Sequence, residues 1–145
     1  MFRIFLLAVG LSGLALAYGK LELKDLPPAV RKTVEAETKG ATIKNIAKEK
    51  EKGKTIFEVE TTIGGKSRDF VVDASGALET VEEQADMDSF PAPAKAAIMK
   101  KIADGKLTLA EIVTKGSTVN YEAAYTTKRG KKMEVVVTAE GVEAK

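Results

Sequence analysis

The chain has 145 residues, with 23 basic and 21 acidic side chains and no His, Cys or Trp. Without His or Cys it lacks the commonest general base, the thiol nucleophile, the usual zinc and copper ligands, and any disulfide. Its charges are nearly balanced and interspersed in sign, which leaves no nucleic-acid footprint.

Met1-Phe2-Arg3 supplies a positive start, Ile4 to Leu16 an apolar run too short to span a bilayer comfortably, and Ala15-Leu16-Ala17 a small-x-small cleavage site. Residues 1–17 therefore read as an export signal. Cleavage leaves Tyr18 as the new N-terminus of a periplasmic or secreted protein with no membrane span.

Beyond the signal, one pattern occurs twice. Leu26-Pro27-Pro28 returns as Phe90-Pro91-Ala92-Pro93, Phe57-Glu58-Val59 as Tyr121-Glu122-Ala123, Phe70-Val71-Val72 as Val135-Val136-Val137, and Gly76 as Gly141. Residues 18–83 form the first repeat, and residues 84–145 the linker and second repeat. Half a chain of this size is marginal alone, so the two halves are expected to share a core.

In the first repeat, Pro27-Pro28 opens a helix whose apolar face carries Val30 and Val34, and Gly40 is the expected stop. Ala41–Lys50 reads as a weak strand. Then Phe57, Val59, Thr61 and Ile63 alternate with Ile56, Glu58, Glu60 and Thr62, as strand residues do. A Gly64-Gly65 hairpin sets the register: Val59 faces Phe70, Phe57 faces Val72, and Glu60 faces Asp69. Ala77–Glu82 reads as a further strand, and Glu82–Ser89 as the linker.

In the second repeat, Ala94, Ile98 and Ile102 mark the helical face, with Gly105 as the expected stop. Leu107–Lys115 reads as a strand, and Val142–Ala144 as a weaker one. A three-residue loop, Lys128-Arg129-Gly130, places Tyr125 opposite Met133, Ala123 opposite Val135 and Tyr121 opposite Val137. The expected fold class is α+β: a tandem repeat of one helix plus an antiparallel β-meander. The helices lie on the face carrying Phe57, Val59, Phe70, Val72, Tyr121, Ala123, Tyr125, Val135 and Val137. The other face is left partly open to water, as antiparallel sheets allow.

The stretches Leu26-Pro27-Pro28-Ala29-Val30, Ile56-Phe57-Glu58-Val59-Glu60 and Arg68-Asp69-Phe70-Val71-Val72-Asp73-Ala74-Ser75-Gly76, with their echoes at Phe90-Pro91 and Tyr121-Glu122-Ala123, resemble the PepSY-like group. That group is related in fold to the secreted beta-lactamase-inhibitor protein. The resemblance implies an exported, noncatalytic binding or inhibitory module.

No Ser sits in a nucleophile elbow, and Gly64-Gly65 is not a phosphate loop, because no helix with Lys-Ser/Thr follows it. No catalytic residue, cofactor or metal ligand set is assigned. The expected partner-binding surface is the open sheet face: Ile56, Glu58, Glu60, Asp69, Val71, Glu122, Glu134 and Val136. Like charges opposed across strands are destabilising, so Glu58, Glu60 and Asp69 read either as binding residues, or as surface charges neutralised by Lys44 or Lys48 on the preceding strand or screened sufficiently by water. Ala124 opposite Glu134 leaves this acidic cluster unrepeated in the second half. Asp86-Met87-Asp88 reads as a solvated linker. Lys128, Arg129, Lys131 and Lys132 form a basic tip, suited either to an anionic surface or to discouraging edge pairing. The function expected is protein–protein contact, of the kind that inhibits or regulates an envelope or secreted enzyme. The alternative is a small-ligand or cation-binding envelope protein.

Overall fold

A computed structural model describes residues 20–144, so the expected export signal lies outside the described residues. After a 3-10 turn at Leu23–Asp25 come α1 (Pro28–Glu37), β1 (Thr42–Glu51), β2 (Lys54–Ile63), β3 (Lys66–Asp73) and β4 (Leu78–Gln84). A second 3-10 turn, Met87–Ser89, leads to α2 (Ala92–Ile102), β5 (Lys106–Lys115), β6 (Thr118–Thr126) and β7 (Lys132–Val137). All seven strands join one antiparallel sheet in chain order.

Each helix opens on a proline, whose fixed φ suits the first turn and whose missing N–H would have had no partner there. Val30 and Val34 of α1 pack with Leu26, Ile46, Phe57, Val59, Phe70 and Val72. Ala94, Ile98 and Ile102 of α2 pack with Phe90, Ala110, Ala123, Tyr125, Val135 and Val137. Burying each large side chain contributes about 1.5–3 kcal/mol. The core is thus two apolar clusters under one sheet, not the single shared core expected. The halves join through the β4–β5 ladder, from Thr80↔Lys115 to Gln84↔Glu111.

The hairpin registers agree with expectation: Val59 faces Phe70, Phe57 faces Val72, Tyr125 faces Met133 and Ala123 faces Val135. Three boundaries differ. Glu83 and Gln84, read as linker, belong to β4, because they pair with β5, a partner distant in sequence. Residues 142–144 form no strand but an isolated bridge, Val137↔Glu143, with the Ala144 N–H donating to the Val136 carbonyl and the Thr138 N–H to the Val142 carbonyl. Gly105 does not end α2. Ala103, with φ +49°, closes it, its N–H donating to the Met99 carbonyl.

Two glycines lock the turns after β3 and β7 against the helices. Gly76 has φ +90°, and a Cβ there would lie 2.7 Å from the Ala29 carbonyl oxygen of α1. Gly141 has φ +79°, and a Cβ would lie 2.5 Å from the Pro93 carbonyl oxygen of α2. Both the left-handed backbone and the close approach exclude a side chain. The Thr33 hydroxyl donates to the Gly76 carbonyl at 2.6 Å, clamping the first of these contacts.

Arg68 makes a further clamp at the end of α1. Its guanidinium lies 2.6 Å from Glu37 Oε2, donates to the Glu37 carbonyl at 3.1 Å, and lies 3.3 Å from Glu83 Oε1. It thereby satisfies a helix-end carbonyl while adding a cation where the helix dipole favours one.

Candidate functional site

Both helices and both 3-10 turns pack on one face of the sheet, so no helix among the described residues covers the other. On that second face the registers build rows across the strands. One row runs Ala47, Glu58, Val71, Thr80, Lys115 and Thr118. The next carries Asn45 beside Glu60, then Asp69, Glu82, Val113 and Asn120. Another runs Gln84, Glu111, Glu122 and Val136. Every strand gives this face a carboxylate: Glu49, Glu58 and Glu60, Asp69, Glu82, Glu111, Glu122 and Glu134. Basic residues of the same face, such as Lys54, Lys115 and Lys132, stand at strand ends.

All eight residues expected at a binding surface share this face. It is less open than expected, however. Asp69 is 3 % exposed, Ile56 7 % and Val71 8 %, while Glu58, Glu60, Glu122 and Val136 are half-buried and Glu134 is exposed. Across a wide sheet, the residues of the inner strands have neighbours on both sides.

Asp69 is tied into the backbone. Between Val59↔Phe70 and Thr62↔Ser67 the β2–β3 pairing is taken over by side chains. Asp69 Oδ1 accepts from the Thr61 N–H at 3.0 Å, and the Thr61 hydroxyl donates to the Arg68 carbonyl. Further along, Gln84 Oε1 accepts from the Ser67 N–H at 3.1 Å, and Glu111 Oε1 accepts from the Ser67 hydroxyl at 3.5 Å. These contacts bridge the two halves on this face.

Glu58 is a strongly perturbed acid. Its register neighbours are Ala47 and the buried Val71, which keep water from its carboxyl. Burial first, then the negative fields of Glu49, Glu60 and Asp69, push it up from 4.5 to about 7.

No β1 lysine stands in register with Glu58 or Glu60, whose β1 neighbours are Ala47 and Asn45. Lys48 lies opposite Phe57, hence on the helix side, and Lys44 sits in the irregularity between Ile43 and Asn45. Glu49 of β1, opposite Ile56, does reach the acidic face and adds negative charge. The expectation that the second half lacks an acidic pair is also corrected. Ala124 does face Glu134, but Glu111 faces Glu122 directly. Glu49, Glu82 and Glu111 were missed. Glu49 and Glu111 lie on registers fixed by two-residue turns, Lys52-Gly53 between β1 and β2 and Gly116-Ser117 between β5 and β6, whereas Glu82 follows from a β3–β4 pairing with an irregularity at Val71/Val72. Those two turns were the signal in the sequence that places Glu49 and Glu111.

The remaining charged motifs are simpler. Asp88 pairs with Lys95 at 2.5 Å, which holds its carboxyl below the usual range, and Asp86 lies 3.5 Å from Lys66. Lys128, Arg129, Lys131 and Lys132 are exposed at the β6–β7 tip. Among the described residues no three acidic groups are placed to hold a metal ion.

No protein-family model and no curated protein matches the chain. Three solved structures show its fold. A candidate periplasmic protein of Bacteroides eggerthii superposes with TM-score 0.66 at 14% identity, covering 83% of this chain and 86% of that one. A DUF2874 family protein of Bacteroides ovatus gives 0.64 at 13%, covering 83% and 85%. A BLIP-like protein of Bacteroides fragilis gives 0.59 at 14%, covering 83% and 84%. The fold is BLIP-like. The α+β class and the antiparallel sheet agree with expectation. None of these three neighbours is named as an enzyme, and no helix among the described residues is long and apolar enough to cross a membrane.

Proposed function

We propose that the chain is an exported, noncatalytic binding module that acts by protein–protein contact through the acidic face of its sheet. It serves as an inhibitor or regulator of an envelope or secreted enzyme. The observation carrying this reading is the band of carboxylates contributed by all seven strands, interspersed with Ile56, Val71, Val113 and Val136, on the face that no helix of the described residues covers. Apolar side chains supply burial at an interface, while a one-signed field selects a partner with basic side chains and steers its approach. Likeness to a candidate periplasmic protein and to a BLIP-like protein supports export and binding. The matched geometry of Gly76 on α1 and Gly141 on α2 supports descent from a tandem repeat of a PepSY-like unit.

Affinity capture from the periplasm or culture fluid of the source organism tests the reading. The bait is wild-type protein beside a Glu60→Gln/Glu82→Gln/Glu122→Gln variant. A protein held by the wild type and lost by the variant, which keeps its fold by circular dichroism, is the expected result. Equal capture by both would refute contact through this face. Mass analysis of the exported chain should find Tyr18 at its N-terminus; an intact Met1 would refute signal cleavage.

A further inference from the structure

At the end of the sheet away from the β1–β2 turn, the charge reverses. Lys106 and Lys132 stand in one row on either side of Thr126, and Lys128, Arg129 and Lys131 follow on the adjoining tip. All five are exposed. The acid found among them is Asp104, which lies 3.4 Å from Lys128 Nζ in a cleft of about 490 Å³ lined also by Thr127, Arg129 and Lys131.

The corner is built from ordered backbone. The Thr127 N–H donates to the Lys131 carbonyl, the Gly130 N–H donates to the Thr127 carbonyl, both at 2.8 Å, and the Lys131 N–H donates to the Thr127 hydroxyl at 3.1 Å. The turn after α2 is pressed against the end of β6: a Cβ on Gly105 would lie 2.8 Å from the Thr126 carbonyl oxygen. Leu107, 37 % exposed, adds an apolar side chain at the same end of the sheet, on the face opposite Lys106.

We propose that this corner docks the protein on an anionic lipid surface. The cations are gathered on one protruding end, so several can meet headgroup phosphates together, and Leu107 can settle at headgroup depth. The same surface repels the carboxylate band, so the charge distribution also sets the orientation and keeps the acidic face off the membrane. Each basic side chain brought to an anionic leaflet multiplies partitioning roughly fivefold.

The test is co-sedimentation of the exported, processed protein, its N-terminus checked by mass, with vesicles of equimolar phosphatidylglycerol and phosphatidylcholine, or of phosphatidylcholine alone. Binding is expected only to the anionic vesicles, and weakens between about 50 and 150 mM salt. Lys128→Gln/Arg129→Gln/Lys131→Gln should lower partitioning about a hundredfold, on the same fivefold scale. Lys50→Gln/Lys52→Gln/Lys54→Gln, which removes as much charge at the opposite end, should change it less than about twofold. Three results would overturn the proposal: equal binding to both vesicle types, equal losses in the two variants, or displacement by inorganic phosphate at constant ionic strength. The last would make the cleft a site for free anions.

Discussion

Replacing Glu58 with Gln removes the charge while nearly keeping shape, and the outcome depends on pH with a definite sign. The folded carboxyl ionises near pH 7 because burial and the fields of Glu49, Glu60 and Asp69 oppose its charge, whereas in the unfolded chain it ionises near the ordinary 4.5. Between those values the folded state binds more protons than the unfolded one, so stability falls as pH rises. The contribution is fully present below 4.5 and lost as pH passes through about 7. The whole difference corresponds to about 3 kcal/mol, but the side chain is only half-buried and water screens it, so about 1–2 kcal/mol is expected. Urea unfolding at pH 5, 6, 7 and 8 reads this directly. The Gln variant should match the wild type near pH 5 and exceed it by about 1–2 kcal/mol at pH 8. A stability difference that does not change with pH, or a variant weaker than the wild type at pH 8, would refute the account of Glu58 as a desolvated acid among acids.

Gly76→Ala and Gly141→Ala should each cost about 2–4 kcal/mol, combining about 1–2 for a side chain in a left-handed backbone with the clash against the helix. Gly53→Ala, with φ +81° but nothing within 4 Å, should cost only about 1 kcal/mol. Thermal melts compare the three, and equal losses would show that the helix contact is unimportant. Asp69→Ala leaves the Thr61 N–H without its acceptor and should cost about 1–3 kcal/mol, whereas Asp69→Asn retains an acceptor oxygen and should cost less; matching losses in denaturant unfolding would contradict this. Phe57→Ala should cost about 3–5 kcal/mol, because the ring is 3 % exposed. Tyr121→Ala should cost less, about 1–3 kcal/mol, because its ring is half-buried, 4.9 Å from Phe90. Similar values for the two would mean that Tyr121 is a core residue.

Helices, hairpins and the buried face were legible in the sequence because local chemistry determines them. Pro27-Pro28 and Pro91 start helices wherever they lie in the fold, and Gly64-Gly65 and Lys128-Arg129-Gly130 each close a hairpin whose length sets its register. Once those registers are set, alternation places Phe57, Val59, Phe70 and Val72 on one side and Glu58, Glu60 and Asp69 on the other. The acidic band as a whole was not legible. It depends on β3 against β4, where an irregularity at Val71/Val72 shifts the register, and on β4 against β5, strands separated by a 3-10 turn and a helix. Pairing across such a connection follows from how α2 seats on the sheet, so tertiary packing alone set Glu82 opposite Val113 and Gln84 opposite Glu111, joining the acids of the two halves into one band. The capture of α1 by Arg68 and the seating of Gly76 and Gly141 on the helices are likewise contacts between residues far apart in the chain. A periodic pattern specifies which way a side chain points; only the packed structure specifies which distant side chain it meets.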